Sequence, residues 1–168
     1  MRQELTADSV ERFIQASPES LYDLISDVTR TPERTPDVAS CEWIDGATGP
    51  AVGARFKSVN SLGRGPKWSN KPVVTVAEPG REFSFTRTEP FAGTILWRHQ
   101  FVPEGTGTRM IESYEVIKPV TIVGWFIIDT LYGMKDRRSE LRASMEQSLE
   151  RVAELVEPAA DARPQTSA

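Results

Sequence analysis

The stretch ILWRHQFVPEGTGTRMIESYEV, Ile95 to Val116, decides how the rest of the chain is read. Its first half alternates: Trp97, His99 and Phe101 fall on one side of a strand and Leu96, Arg98 and Gln100 on the other. The more apolar side is expected to face inward. PEGTG is a turn signal and strand formers follow it, so the two halves fold back on one another as a hairpin. One register sets His99 opposite Glu112 and Trp97 opposite Tyr114, a polar pair flanked by aromatic rings. The neighbouring register sets Arg98 opposite Glu112 on the other face, as a surface ion pair of little worth. The sequence leaves both open.

Toward the N-terminus, REFSFTRTE, WSNKPVVTVAE, ARFKSVNS and SCEWID are further β-type segments, separated by the turn formers PFAG, PG, LGRGPK and GATGPAVG. With the hairpin they form one antiparallel meander. TRTPERTPDV, with two prolines and little periodicity, is a loop or a broken short helix. SPESLYDLISDV is a helix: Ser17 caps it, Pro18 takes the first position, and Leu21, Leu24, Ile25 and Val28 line a buried face. Asp8 to Ala16 is a first strand. Toward the C-terminus the period changes. From Pro119 the chain reads as helix, with Leu131, Met134, Leu141, Met145, Leu149, Val152 and Val156 largely on one stripe and Gly133 as a break or kink. Residues 158–168 read as a disordered tail behind a single domain spanning 1–157. The expected class is α+β: a curved antiparallel sheet of about seven strands around a long C-terminal helix.

A chain of 168 residues can bury one substantial core and a cavity within it. Twenty basic and twenty-four acidic residues, interspersed, give a net charge of −4 and no phosphate-binding surface, so no nucleic-acid partner is expected. A single cysteine, Cys41, and a single histidine, His99, exclude an internal disulfide and a Cys/His metal cluster. Neither metal nor cofactor is expected. Met1 to Ser17 carries charge throughout and lacks the apolar core of a secretory signal, which points to the cytoplasm. The apolar run Val120 to Tyr132, interrupted by Asp129, is too short for an integral membrane span of about 20 residues. Glycine-rich phosphate loops, a G-x-S-x-G elbow and a glycosidase-type carboxylate pair are all missing. The chain is expected to be a monomer or homodimer.

The segments SPESLYDLISDVTRTPERTPDV, GPAVGARFKSVN, VAEPGREFSFTR and ILWRHQFVPEGTGTRMIESYEV, in that order, resemble the polyketide cyclase/dehydrase branch of the START-related (SRPBCC) superfamily. The resemblance covers Asp8 to Glu157. Its matching residues, Pro18, Gly49, Gly53, Pro79, Gly80, Trp97, Gly105 to Thr108 and Glu112, are mostly turn formers and core residues. It implies a helix-grip fold, in which the sheet wraps the last helix around a cavity that takes an apolar or aromatic molecule. Members include lipid carriers, plant-hormone receptors, aromatase/cyclases and many bacterial proteins of unassigned role, so the fold does not choose an activity. The chain departs from the family pattern at His99, where an aromatic residue often stands, and at Thr35-Pro36-Asp37, where Trp often precedes Asn-Pro.

His99 is the first candidate acid or base, with a hydrogen-bonded structural role as the alternative. Glu112 and Arg138 complete the catalytic candidates; Arg138 lies on the stripe of the last helix and either faces the cavity or reaches solvent. Arg87 is weighed the same way, with water the favoured destination at its strand end. The expected ligand-binding set is Trp68, Phe85, Trp97, His99, Tyr114, Trp125, Phe126, Met134, Arg138 and Leu141. Trp125, Phe126 and Ile128 are candidates for a gate over the cavity mouth. The leading expectation is a carrier or sensor of a hydrophobic small molecule: a lipid, polyketide, isoprenoid or aromatic metabolite. The alternatives are a cofactor-independent cyclase or dehydratase and a protein-interaction module without ligand.

Overall fold

A computed structural model describes residues 4–133 and 135–157. Its elements run β1 (Ala7–Ile14), α1 (Pro18–Ser26), α2 (Thr31–Arg34), β2 (Val38–Ile44), β3 (Arg55–Asn60), β4 (Trp68–Asn70), β5 (Val73–Glu78), β6 (Glu82–Glu89), β7 (Gly93–Glu104), β8 (Gly107–Lys118), α3 (Ile122–Tyr132) and α4 (Arg137–Val156). The strands form one antiparallel sheet in the order β1-β8-β7-β6-β5-β3-β2, with β4 paired to β3 beside that path. Between β7 and β8 the register is the one that sets Trp97 opposite Tyr114 and His99 opposite Glu112. Trp97, His99 and Phe101 therefore look inward, and the outward Arg98 is exposed.

The sheet, expected to have about seven strands, has seven on that path and β4 as an eighth beside it, because WSNKPVVTVAE is two strands and not one. Pro72 has no N–H to give to a ladder, and the chain breaks there. β4 pairs with the Ser58–Asn60 end of β3, whereas β5 meets β3 at Arg55 opposite Val73. That break leaves Asn60 and Asn70 on the inner side, both buried.

Ser17 caps α1, its side chain accepting from the Ser20 N–H at 3.1 Å, and Leu21, Tyr22, Leu24 and Ile25 are buried beneath it. TRTPERTPDV is a broken short helix: a 3-10 turn over Val28–Arg30 and then the single turn α2. The last third holds two helices. Gly133, at φ 61 in the left-handed region, ends α3, and Asp136 caps α4 by accepting from the Ser139 N–H at 3.1 Å. α4 lays Leu141, Met145, Leu149 and Val152 on the sheet at three-to-four spacing. Leu131 does not share that stripe: it belongs to α3 and is 51% exposed. Met134 and the tail 158–168 lie outside the described residues.

α3 sits on the β6–β7 hairpin and on the β3–β4 loop. The Thr121 N–H and hydroxyl donate to the Phe91 carbonyl at 2.9 and 2.8 Å. A Cβ at Gly124 would run into that same carbonyl, and one at Gly65 would stand 2.6 Å from the Leu131 carbonyl oxygen. At the far end the Tyr132 ring meets Trp68 edge-on, 5.1 Å between centroids. Ile122, Val123 and Phe126 point to solvent. Among the described residues no helix is long and apolar enough to cross a membrane.

Candidate functional site

Two chambers lie between the sheet and the helices. The inner one, of about 90 Å³, is walled by α2 (Thr31, Arg34), β3 (Phe56, Ser58, Asn60), β6 (Phe83, Phe85), β7 (Trp97, His99), Glu112 of β8, and Ser144 and Met145 of α4. Asn70, at the end of β4, completes it. The outer one, of about 220 Å³, lies under α3 and is lined by Leu5, Ile95, Val120, Ile127 and Ile128, with the rings of Trp68 and Tyr132. Arg87 borders both.

The alternation of β7 and β8 delivers His99 and Glu112 to the inner wall. His99 Nε2 is 3.6 Å from Glu112 Oε1, longer than a hydrogen bond, and Nδ1 is 3.3 Å from the Phe83 carbonyl oxygen. The imidazole stacks on Phe85 at 6.1 Å. Glu112 Oε2 has no hydrogen-bond partner. Across the chamber Arg34, 4% exposed, donates through Nη1 to Thr35 Oγ1 at 3.4 Å, while its Nε is unpartnered. Burial pushes the Arg34 guanidinium below its ordinary value, against the opposing pull of Glu112 and Cys41.

Asn60 accepts from the Ser58 hydroxyl at 3.2 Å and leaves Nδ2 unpartnered. Asn70 donates through Nδ2 to Glu89 Oε1 at 2.8 Å, which fixes the orientation of its amide and leaves Oδ1 as a free acceptor. Of the buried side-chain atoms without a partner among the described residues, those of Arg34, Asn60, Asn70 and Glu112 all belong to this one chamber. Each unmet buried group costs roughly 1–3 kcal/mol, so a cluster of them marks a place for a polar guest or bound water.

Glu89 organises the partition. Besides Asn70 it accepts from Trp68 Nε1 at 2.9 Å and pairs with Arg87 Nε at 3.5 Å. The Arg87 guanidinium lies 5.8 Å above the Trp97 ring. Burial alone would raise the Glu89 carboxyl, but Arg87 and the Asn70 and Trp68 hydrogen bonds outweigh it and hold it below the usual carboxylate range.

The sequence-based candidates divide accordingly. Phe85, Trp97, His99 and Glu112 meet at the inner chamber, and Trp68 lines the outer one. Tyr114 and Leu141 are core residues outside both chambers, as is the half-buried Trp125. Phe126 is 69% exposed on the outer side of α3. Arg138 points to solvent; helix phase gives its place to Arg137, which lines the outer chamber. Ile128 borders that chamber. Arg87 is mostly buried rather than extended into water, its side chain 16% exposed and held by Glu89. Sequence reasoning missed Arg34, Asn60, Asn70 and Glu89. The strand alternation Phe56, Ser58, Asn60 was a usable signal for one of them.

Residues 8–157 match the family described as "Polyketide cyclase / dehydrase and lipid transport". The chain belongs to that family. Its fold is that of a Chromobacterium violaceum protein, CV1439, with 18% identity and a TM-score of 0.69 over 92% of this chain and 99% of that one. Similar too are the di-domain ARO/CYC StfQ from the steffimycin biosynthetic pathway (14%, TM-score 0.68, 90% of this chain and 50% of that one) and major latex-like protein 151 from Panax ginseng (16%, TM-score 0.65, 90% and 97%). Among curated proteins none matches. This family member is thus a helix-grip protein of the SRPBCC superfamily with a hydrophobic ligand-binding architecture.

Proposed function

We propose that the protein carries or senses a hydrophobic small molecule, a lipid, polyketide, isoprenoid or aromatic metabolite, held across the two chambers. The observation that carries this reading is the outer chamber: a mainly apolar and aromatic space, with Arg87, Glu89 and Arg137 at its border, roofed by a helix that is seated at its two ends. Together the chambers reach only the lower end of the ~300–1,000 Å³ range of small-molecule pockets, so the reading favours a compact ligand. In this reading the protein works in the cytoplasm, as monomer or homodimer, without nucleic acid. An interaction module would have filled its cavity with its own side chains, and both chambers are open.

Titration with the fluorophore N-phenylnaphthylamine tests it. Saturable one-to-one binding is expected, lost when Ile127→Trp fills the outer chamber, and weakened less than about tenfold by His99→Ala. No saturable binding, together with ligand-free protein in native mass spectrometry from its own host, would overturn it.

A second reading, a cofactor-independent cyclase or dehydratase, is favoured by the buried His99–Glu112 approach beside Arg34. There Glu112 or His99 would take a proton and Arg34 would steady an enolate oxygen. Turnover of a polyketone substrate that vanishes in His99→Ala while binding persists would establish it over the carrier.

A further inference from the structure

We infer that the inner chamber reads the head of the ligand, and that the head is neutral and both donates and accepts hydrogen bonds, as a hydroxyl beside a carbonyl does. This deepens the ligand-binding reading above and rests on it. The unpartnered atoms are of two kinds. Arg34 Nε and Asn60 Nδ2 are donors, and Glu112 Oε2 and Asn70 Oδ1 are acceptors. All four residues are at least 95% buried. The sense of Asn70 is not adjustable, because turning its amide would set an oxygen against the Glu89 carboxylate that its Nδ2 now serves.

A carboxylate head would satisfy Arg34 and Asn60 but bring like charge to Glu112 and a second acceptor to Asn70. An ammonium head would satisfy the acceptors and meet the Arg34 charge instead. A head with an acceptor only leaves Glu112 and Asn70 unmet. A neutral hydroxy-carbonyl group answers both kinds without importing charge, and a volume of about 90 Å³ suits a head of a few heavy atoms rather than a whole lipid. The apolar body of the same molecule passes Arg87 into the chamber under α3, where Ile95, Ile127 and Ile128 receive it.

Four eight-carbon probes separate the possibilities: hydroxymethyl hexyl ketone, methyl hexyl ketone, octanoate and octylammonium, titrated calorimetrically into the wild-type protein. The hydroxy ketone is expected to bind at least about tenfold more tightly than each of the other three, as a site with unmet donors and acceptors discriminates. Glu112→Gln removes the acidic partner and is expected to move the preference toward octanoate by at least about tenfold, with Arg34→Gln moving it toward octylammonium. Equal affinity for all four probes overturns the head-group inference while leaving a hydrophobic binder. Tightest binding of octanoate by the wild-type protein overturns it as well. Failure of every probe to bind, where N-phenylnaphthylamine also fails, overturns both readings.

Discussion

The two chambers share Arg87 and differ in almost everything else. The inner one is built into the core: its wall includes Phe83, fully buried and edge-on to Tyr22, and its unpartnered polar atoms come from buried side chains of α2, β3, β4 and β8. The outer one is built beside the core, under a helix whose other side carries exposed Ile122, Val123 and Phe126. Rigid display suits recognition of a group at fixed distances, whereas a roof held at its ends suits apolar bulk, whose burial is non-directional.

The contrast can be broken first at the inner wall. Phe83→Ala is expected to cost about 3–5 kcal/mol in denaturant unfolding, since it empties packed core; a loss below about 1 kcal/mol would mean that the inner chamber is not part of the core. Next comes the partition. Glu89→Ala leaves Arg87, Trp68 and Asn70 without their acceptor and should cost about 2–3 kcal/mol. Its titration has a defined sign: a carboxyl held low in the folded state contributes stability above its unfolded value, and that contribution is lost as pH falls through the folded one. Stability below the ordinary carboxylate range should therefore fall less steeply in Glu89→Gln than in wild type, as followed by urea midpoints at descending pH.

The inner polar groups work the other way. Replacing Arg34 and Glu112 together, Arg34→Met with Glu112→Gln, is expected to leave stability unchanged or raise it by up to about 1–4 kcal/mol while discrimination between head groups disappears. A clear loss of stability would show that the pair serves the fold instead of the ligand. The smallest effect belongs to the roof: Phe126→Ser, at an exposed position, should change unfolding free energy by less than about 0.5 kcal/mol.

The difference between the chambers also governs what could be read from the sequence. Periodicity exposes elements whose one side is apolar, so β7, α1 and the buried face of α4 were legible, while the side of β7 that lines the chamber was only suggested by its aromatic residues. Register was not, because both pairings of Glu112 were chemically sensible until the turn geometry fixed one. Arg34 was invisible for a different reason. It sits in a four-residue helix within a proline-broken stretch, where no period can show which side is buried. Asn60 and Asn70 converge through the break at Pro72, a long-range consequence of a missing N–H. Arg138 and Arg137 differ by one step of helix phase, and the left-handed Gly133 between α3 and α4 resets that phase.

Gly124 and Gly65 seat α3 by close backbone approach, to the Phe91 and Leu131 carbonyls respectively. A single base change converts a glycine codon to alanine, and at either position the added methyl acts as a wedge that lifts the roof without touching the inner wall. On the proposed reading, a change at the roof leaves the polar atoms of the inner chamber as they are. At both positions that methyl meets backbone, so the roof moves only by displacing the main chain that seats it.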